Sequence, residues 1–303
     1  MTLPGRIGDY EVLEELGRGG YGVVWRARKA SLPEREVALK EVQLTSGDEE
    51  ARARTMREVR ALTRIDSLHI VRLHDAFESA ERGTLCIVME RLDRATLRHR
   101  IARASAPLPL DFVIESVDGV LDALEATHGA RDAEGRAAPI VHRDLKPENI
   151  GFARWRDSEI VKVMDFGIAR IAAAGSERIS RALGTLHACT PAYAAPEVLL
   201  GSVATPPADL WSLGVVLWEM IVGRHPFLDS AGAMLTPMQA LLSNQGVLPP
   251  LPPAIAADLP AELVALQRDL CAHDPALRPT APRARERLRA IVPPAAEIGR
   301  AHV

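Results

Sequence analysis

The stretch His142-Arg-Asp-Leu-Lys-Pro-Glu-Asn149 decides how this chain is read. It sets Asp144, Lys146 and Asn149 at positions i, i+2 and i+5 beside a histidine in apolar surroundings. A random chain would not group a carboxylate, an ammonium and a carboxamide in this way, and no packing role accounts for them. Shortly downstream, the apolar run Ile160 to Met164 reads as a strand that ends on Asp165-Phe-Gly167.

Upstream, Gly17-Arg-Gly19-Gly-Tyr-Gly22-Val-Val24 is a glycine-rich turn. Its residues let the backbone approach a ligand closely. Alone the pattern is weak, because dinucleotide-binding folds use a similar one that runs from a strand into a helix. Here the following residues read as a second strand, which predicts a glycine hairpin. Val37-Ala-Leu-Lys40 then puts a lysine inside a strand. In isolation that lysine fits a surface strand equally well. Glu58 lies beyond it, beside the apolar face of a predicted helix.

The organisation follows from periodicity. Residues 10 to 43 alternate apolar and polar residues, with Gly- and Pro-containing breaks, and read as short antiparallel strands. Ser46-Gly-Asp-Glu49 is a capping-box pattern. After it, Met56, Val59, Leu62 and Ile65 share one helical face. Strand-like runs follow at Ile70–Phe77 and Leu85–Met89. Beyond Arg91 helical patterns dominate, at Phe112–Thr127, Ala208–Val222, Ala261–Ala272 and Pro282–Ile291. Residues 246–260 are Pro-rich and read as an extended connector. These elements predict an α+β fold of two lobes. The domain covers 10–291, with a small antiparallel β lobe carrying one helix over 10–90 and a larger, mainly helical lobe over 91–291. Residues 1–9 and 292–303 are expected to be flexible termini.

The bulk numbers agree with this reading. The chain has 303 residues, a net charge of −3, 47% hydrophobic and 25% charged residues. That is an ordinary globular composition, and it argues against a dedicated nucleic-acid binder. The three cysteines, Cys86, Cys189 and Cys271, have no metal-like or disulfide-like spacing. They fit a reducing, cytoplasmic compartment. No apolar run approaches the roughly 20 residues needed to span a bilayer, and Met1–Tyr10 carries no signal-peptide pattern. Abundant Ala and Arg with scarce Lys fit a bacterial, GC-rich source.

Taken in order, these motifs resemble the eukaryotic-like (Hanks-type) protein serine/threonine kinase family, over about residues 10 to 291. The resemblance implies transfer of the γ-phosphate of ATP to protein Ser/Thr hydroxyls, with Mg²⁺, or Mn²⁺ in its place. It implies that Asp144 accepts or orients the substrate hydroxyl and that Lys146 stabilises the γ-phosphate. Asn149 and Asp165 would hold the metal. Lys40, ion-paired to Glu58, would address the α- and β-phosphates. Gly17, Gly19 and Gly22 would cover the phosphates, and Val24, Ala38, Met89 and Gly151 would line the adenine site. The backbone of Glu90 and Leu92 would bind adenine at the hinge. Thr190 would contact the catalytic aspartate and the substrate side. Glu197 with Arg278, and Asp209 beneath the catalytic loop, match bracing positions. Leu62, Leu73, His142 and Phe166 match an apolar column linking the lobes.

Arg143 beside Asp144 predicts control by an activation-segment phosphate, with Thr185 favoured over Ser180 and Ser176. Partners are expected to be Ser/Thr-bearing proteins, including a second copy for autophosphorylation, with no nucleic acid and no membrane segment in this chain. The competing reading is a nucleotide-binding scaffold that keeps the fold without chemistry. Its mark is loss of Lys40, Asp144, Asn149 or Asp165, and all four are present.

Three departures from the family pattern stand out. Gly151 replaces a large apolar residue expected to floor the adenine pocket, a loss of about 1–2 kcal/mol of burial. Gly151→Leu is therefore expected to tighten nucleotide binding, unless Phe152 swings into the gap. Gly129–Pro139 lengthens a loop and reads as a surface insertion. Arg94, Arg98, His99, Arg100 and Arg103 form a basic cluster, either a solvated helix face or a site preferring acidic or phosphorylated partners.

Overall fold

The computed structural model describes residues 4–19, 22–43, 49–167, 191–228, 232–236, 239 and 247–291. Its smaller lobe is one antiparallel sheet in the order β1-β2-β3-β4-β6-β5. The strands are β1 (Arg6–Ile7), β2 (Tyr10–Gly19), β3 (Gly22–Lys29), β4 (Leu32–Gln43), β5 (Leu73–Ser79) and β6 (Thr84–Glu90). Strand alternation sends the sheet's side chains to two different cores. One face carries Ile7, Tyr10, Val12, Trp25, Leu39 and Val88 in a core of its own. The other carries Ala38, Leu85, Ile87 and Met89, which join the main core. β1 lies ahead of the expected boundary at residue 10, and Ile7 is buried.

Helix α1 (Glu49–Leu62) packs on the second face. Val59 and Leu62 are buried, and Met56 and Ile65 pack against them, as the spacing predicts. The capping-box residues ahead of Glu49 lie outside the described residues.

The larger lobe is built on two helices. In α3 (Leu110–His128) the buried Val113, Val117, Val120, Leu121 and Leu124 form a core stripe. In α4 (Pro206–Val222) every residue from Ala208 to Ile221 is buried. A helix that is apolar on all sides belongs inside a domain. Prolines occupy its first turn and Gly223, in the left-handed conformation, ends it. Around this pair stand α2 (Leu97–Arg103), α5 (Ala261–Leu270) and α6 (Ala281–Ile291), with the hairpin β7 (Ile150–Trp155) and β8 (Ser158–Val163) facing the small lobe. The lobes meet where Ile70 bridges Val163 and where Val71 N–H donates to the Val163 carbonyl at 3.0 Å.

Two local expectations change, while the loop expected as a surface insertion is largely exposed. The run from Ile70 begins its strand only at Leu73. Within 246–260, Pro253–Ala256 forms a helical turn in place of an extended connector, since proline suits a first helical turn. Loop 129–139 closes on itself through an Arg131–Ala137 bridge and an Arg136–Asp132 ion pair of 2.7 Å.

Candidate active site

The backbone of the His142–Asn149 loop is held from beneath by one buried carboxylate. Asp209, in the first turn of α4, accepts the N–H of His142 at 2.8 Å and of Arg143 at 2.9 Å. Its Oδ2 also meets His128 Nε2 at 2.8 Å. His142 is wholly buried. Its Nδ1 faces the Asp144 N–H at 3.2 Å and its Nε2 faces the Met164 carbonyl at 2.8 Å. These partners specify a neutral imidazole, in keeping with burial holding its pKa below the ordinary value. Its ring packs on Phe166 with centroids 4.6 Å apart. Leu62, Leu73 and Phe166 line a cavity of about 20 Å³, which places three of the four column residues around one space.

Above this platform Asp144, Lys146 and Asn149 converge. Lys146 Nζ lies 3.0 Å from Asp144 Oδ2. Asn149 Nδ2 donates to the Asp144 carbonyl at 2.8 Å and to its Oδ2 at 3.3 Å. Arg143 and Asp165 both take positive φ, 66° and 57°. Such strain in non-glycine residues persists only where the surroundings enforce it, and it concentrates at functional sites.

Across the cleft, Lys40 Nζ reaches Asp165 Oδ1 at 2.8 Å. Burial would raise the Asp165 pKa, but the Lys40 ammonium and its hydrogen bond hold it below the ordinary carboxylate value. The expected Lys40–Glu58 pair is not formed among the described residues. Glu58 Oε2 instead meets the Arg143 guanidinium at 3.2 Å. The cause is competition: Asp165 and Arg143 are nearer opposite charges.

The cleft between the lobes encloses about 380 Å³, lined by Leu16, Gly17, Val24, Ala38, Met89, Glu90, Leu92, Gly151, Met164 and Asp165. Gly19 pairs with Gly22 across the β2–β3 turn, so the glycine motif is a hairpin and not a strand-to-helix turn. Gly22 has φ +149°, and a Cβ there would run into the Glu41 carbonyl. Val24 pairs with Lys40, and Ala38 with Met89, which brings these residues side by side.

Gly151 departs from expectation. A Cβ on it would collide with Leu92 Cδ1 and sit 3.2 Å from Met164 Sδ. The supposed gap is already filled from the hinge and from the residue before Asp165. Phe152 cannot fill it, because strand alternation turns it to the other face. There it packs on Phe112 and under Arg100, whose Cζ is 3.9 Å from the ring centroid.

Much of the basic cluster is internally paired and is neither a freely solvated face nor an open cationic site. Arg100 meets Glu159 at 2.6 Å and Arg94 meets it at 3.8 Å. Arg98 reaches Glu148 at 2.8 Å and Glu219 at 2.7 Å. Sequence reasoning missed Glu219, although a second carboxylate, besides Asp209, inside the otherwise largely apolar helix α4 is a visible signal of a buried partner. It also missed Lys162, which ion-pairs the hinge side chain of Glu90 at 2.7 Å. Thr185, Ser180, Ser176 and Thr190 lie outside the described residues, as does Cys189. Cys86 and Cys271 are buried free thiols, and burial pushes the Cys86 pKa up to about 11. No described helix is long and apolar enough to cross a membrane.

Comparison with known proteins agrees with this geometry. A family model described as "Protein kinase domain" matches residues 10–288. Serine/threonine-protein kinase pkn3 of Myxococcus xanthus is 37% identical over 75% of this chain and 40% of its own length. Serine/threonine-protein kinase Pkn1 of the same organism is 36% identical over 82% of this chain and 33% of its own. The chain thus spans between a third and two-fifths of these curated relatives. The Mycobacterium tuberculosis PknI kinase domain superposes with a TM-score of 0.67 at 25% identity, covering 96% of this chain and 100% of that one. With a matching family model over nearly the whole described chain, and the two-lobed fold around its cleft, this chain belongs to the protein kinase domain family.

Proposed function

We propose that this chain transfers the γ-phosphate of ATP to serine and threonine hydroxyls of protein substrates. The observation that carries the reading is the convergence of Lys146 and Asn149 on the Asp144 carboxylate. Phosphoryl transfer needs positioning and charge neutralisation more than covalent help. Asp144, held by its neighbours, accepts or orients the proton of the incoming hydroxyl. Lys146 offsets negative charge on the transferred group. Adenine lies between Val24, Ala38 and Met89 above and Leu92 and Met164 below, with hinge backbone at Glu90 and Leu92 supplying its hydrogen bonds. Gly17, Gly19 and Gly22 bring backbone over the phosphates.

Oxygen donors suit Mg²⁺ or Mn²⁺. The Asp165 carboxylate and the Asn149 amide oxygen, whose Nδ2 is committed to Asp144, are the groups that would hold it. The metal, when bound, neutralises phosphate charge. For Asp165 to serve, Lys40 must exchange its partner.

That exchange suggests control. A phosphate on the activation segment, at Thr185 foremost or at Ser180 or Ser176, would draw Arg143 from Glu58. Glu58 would then be free for Lys40, and Asp165 for the metal. Thr190 is assigned the contact beside Asp144 on the substrate side. Substrates include a second copy of the chain, and the compartment is the cytoplasm.

The test is incubation with γ-labelled ATP, Mg²⁺ and a generic protein substrate, followed by phosphoamino-acid analysis. Phosphoserine and phosphothreonine are expected. Label on tyrosine alone, or none, would contradict the proposal.

A further inference from the structure

Beside the catalytic loop lies an acidic pocket that the chain fills with its own arginine. Glu148 precedes Asn149 on the 3₁₀ turn Pro147–Asn149, and its side chain is 45% exposed. Glu219 projects from α4 and is only 3% exposed. Tyr193 joins them, its hydroxyl donating to Glu219 Oε2 at 2.6 Å. His225 packs edge-on against the Tyr193 ring, with centroids 4.9 Å apart, which fixes the phenol. Arg98, from the first turn of α2, enters this pocket. Its Nε donates to Glu148 at 2.8 Å, one terminal nitrogen donates to Glu219 at 2.7 Å, and the other donates to the Tyr193 hydroxyl.

This arrangement goes beyond what the fold requires. All three guanidinium nitrogens are used on separate acceptors, as in recognition of a bound arginine. The pocket adjoins the residues that hold the hydroxyl of the substrate, and Glu148 also lines the nucleotide cleft. A peptide lying across Asp144 therefore passes an acidic site whose guanidinium acceptors are already taken by Arg98.

We infer that Arg98 is a specificity-determining residue: it occupies an acidic subsite from within and so denies that subsite to arginine side chains of protein substrates. The inference rests on the kinase reading above for its substrate. Without Arg98, Glu148 and Glu219 would present a carboxylate pair sized for one guanidinium. Charge-assisted hydrogen bonds then give about a tenfold preference for arginine-bearing peptides. With Arg98 in place the acceptors are occupied and its guanidinium repels a second one, so such peptides gain little.

The test compares binding, by fluorescence anisotropy, of matched serine peptides carrying arginine or alanine at each position flanking the serine. Transfer from ATP is measured in parallel. Wild type should bind the two sets within about threefold, and Arg98→Ala and Arg98→Met should each bind an arginine peptide about tenfold tighter than its alanine match. Arg98→Lys should stay near wild type, and Glu148→Gln combined with Arg98→Ala should lose the acquired preference. A purely structural role for Arg98 moves overall affinity but not this charge discrimination. Unchanged discrimination in both neutral variants, or its survival in the double variant, would overturn the inference. A switch in binding without phosphoryl transfer would count against the kinase reading and leave the Arg98 assignment standing.

Discussion

Glu58 is ion-paired with Arg143, at 3.2 Å, while Lys40 is paired with Asp165 at 2.8 Å. Both pairs join the lobes, and each uses a group that the proposed reaction needs elsewhere. Under the proposed control, exchanging partners would convert this arrangement into the productive one. On that proposal, the Arg143–Glu58 pair would favour the resting state until a phosphate on the activation segment competes for Arg143.

Phosphatase-treated protein should accordingly be slower than autophosphorylated protein by about tenfold or more, the range of a coupling free energy of 1–3 kcal/mol. In Arg143→Ala the two forms should differ by less than about threefold, because neither Glu58 nor a phosphate then has that partner. Equal rates for the two forms of wild type would refute the exchange.

Gly151→Leu should weaken nucleotide binding by about tenfold, because the added side chain competes with Leu92 and crowds Met164. Pairing it with Leu92→Ala should recover most of the loss, since one floor replaces the other. Calorimetric Kd values for the single and double variants decide this. A tighter Kd in Gly151→Leu alone would show that the cleft floor is open after all.

Much of this site was legible in the sequence, and the reason is locality. Asp144, Lys146 and Asn149 meet because they share one short loop, and the glycine hairpin is announced by the strand that follows it. The relations that went unread are long-range. Nothing in local periodicity ties Leu92 to Gly151, or Arg98 to Glu148 and Glu219. The family resemblance pairs Lys40 with Glu58, but the choice between Glu58 and Asp165 depends on how the lobes sit, which no local pattern encodes. β1 was missed because a two-residue strand is too short to show alternation.

Arg278 holds Glu197 through two hydrogen bonds of 2.7 and 2.8 Å, with its own side chain fully buried. Arg278→Ala leaves a carboxylate with its main partner gone and should cost about 3–5 kcal/mol. Urea denaturation would measure it. A loss below 1 kcal/mol would mean that the pair is dispensable.

Stability should also fall as pH drops from about 7 to 5. Burial holds the His142 and His225 pKa values below the ordinary 6.5. Below 6.5 the unfolded chain therefore binds protons that the folded chain refuses, and the slope is at most about 1.4 kcal/mol per pH unit for each group. Asp165 and Glu41, whose pKa values lie below the ordinary carboxylate range, still favour the folded state in this window and lose that contribution only in stronger acid. A flat unfolding free energy between pH 7 and 5 would contradict the neutral assignment of these histidines.

The most direct test of the central claim compares wild type with Asp144→Asn in transferring label from γ-labelled ATP to a serine-containing protein in the presence of Mg²⁺. The substitution keeps the shape and removes the proton acceptor. The rate should fall by about 10²–10⁴-fold with ATP affinity little changed. Equal rates in the two proteins, or no transfer by wild type, would contradict the account.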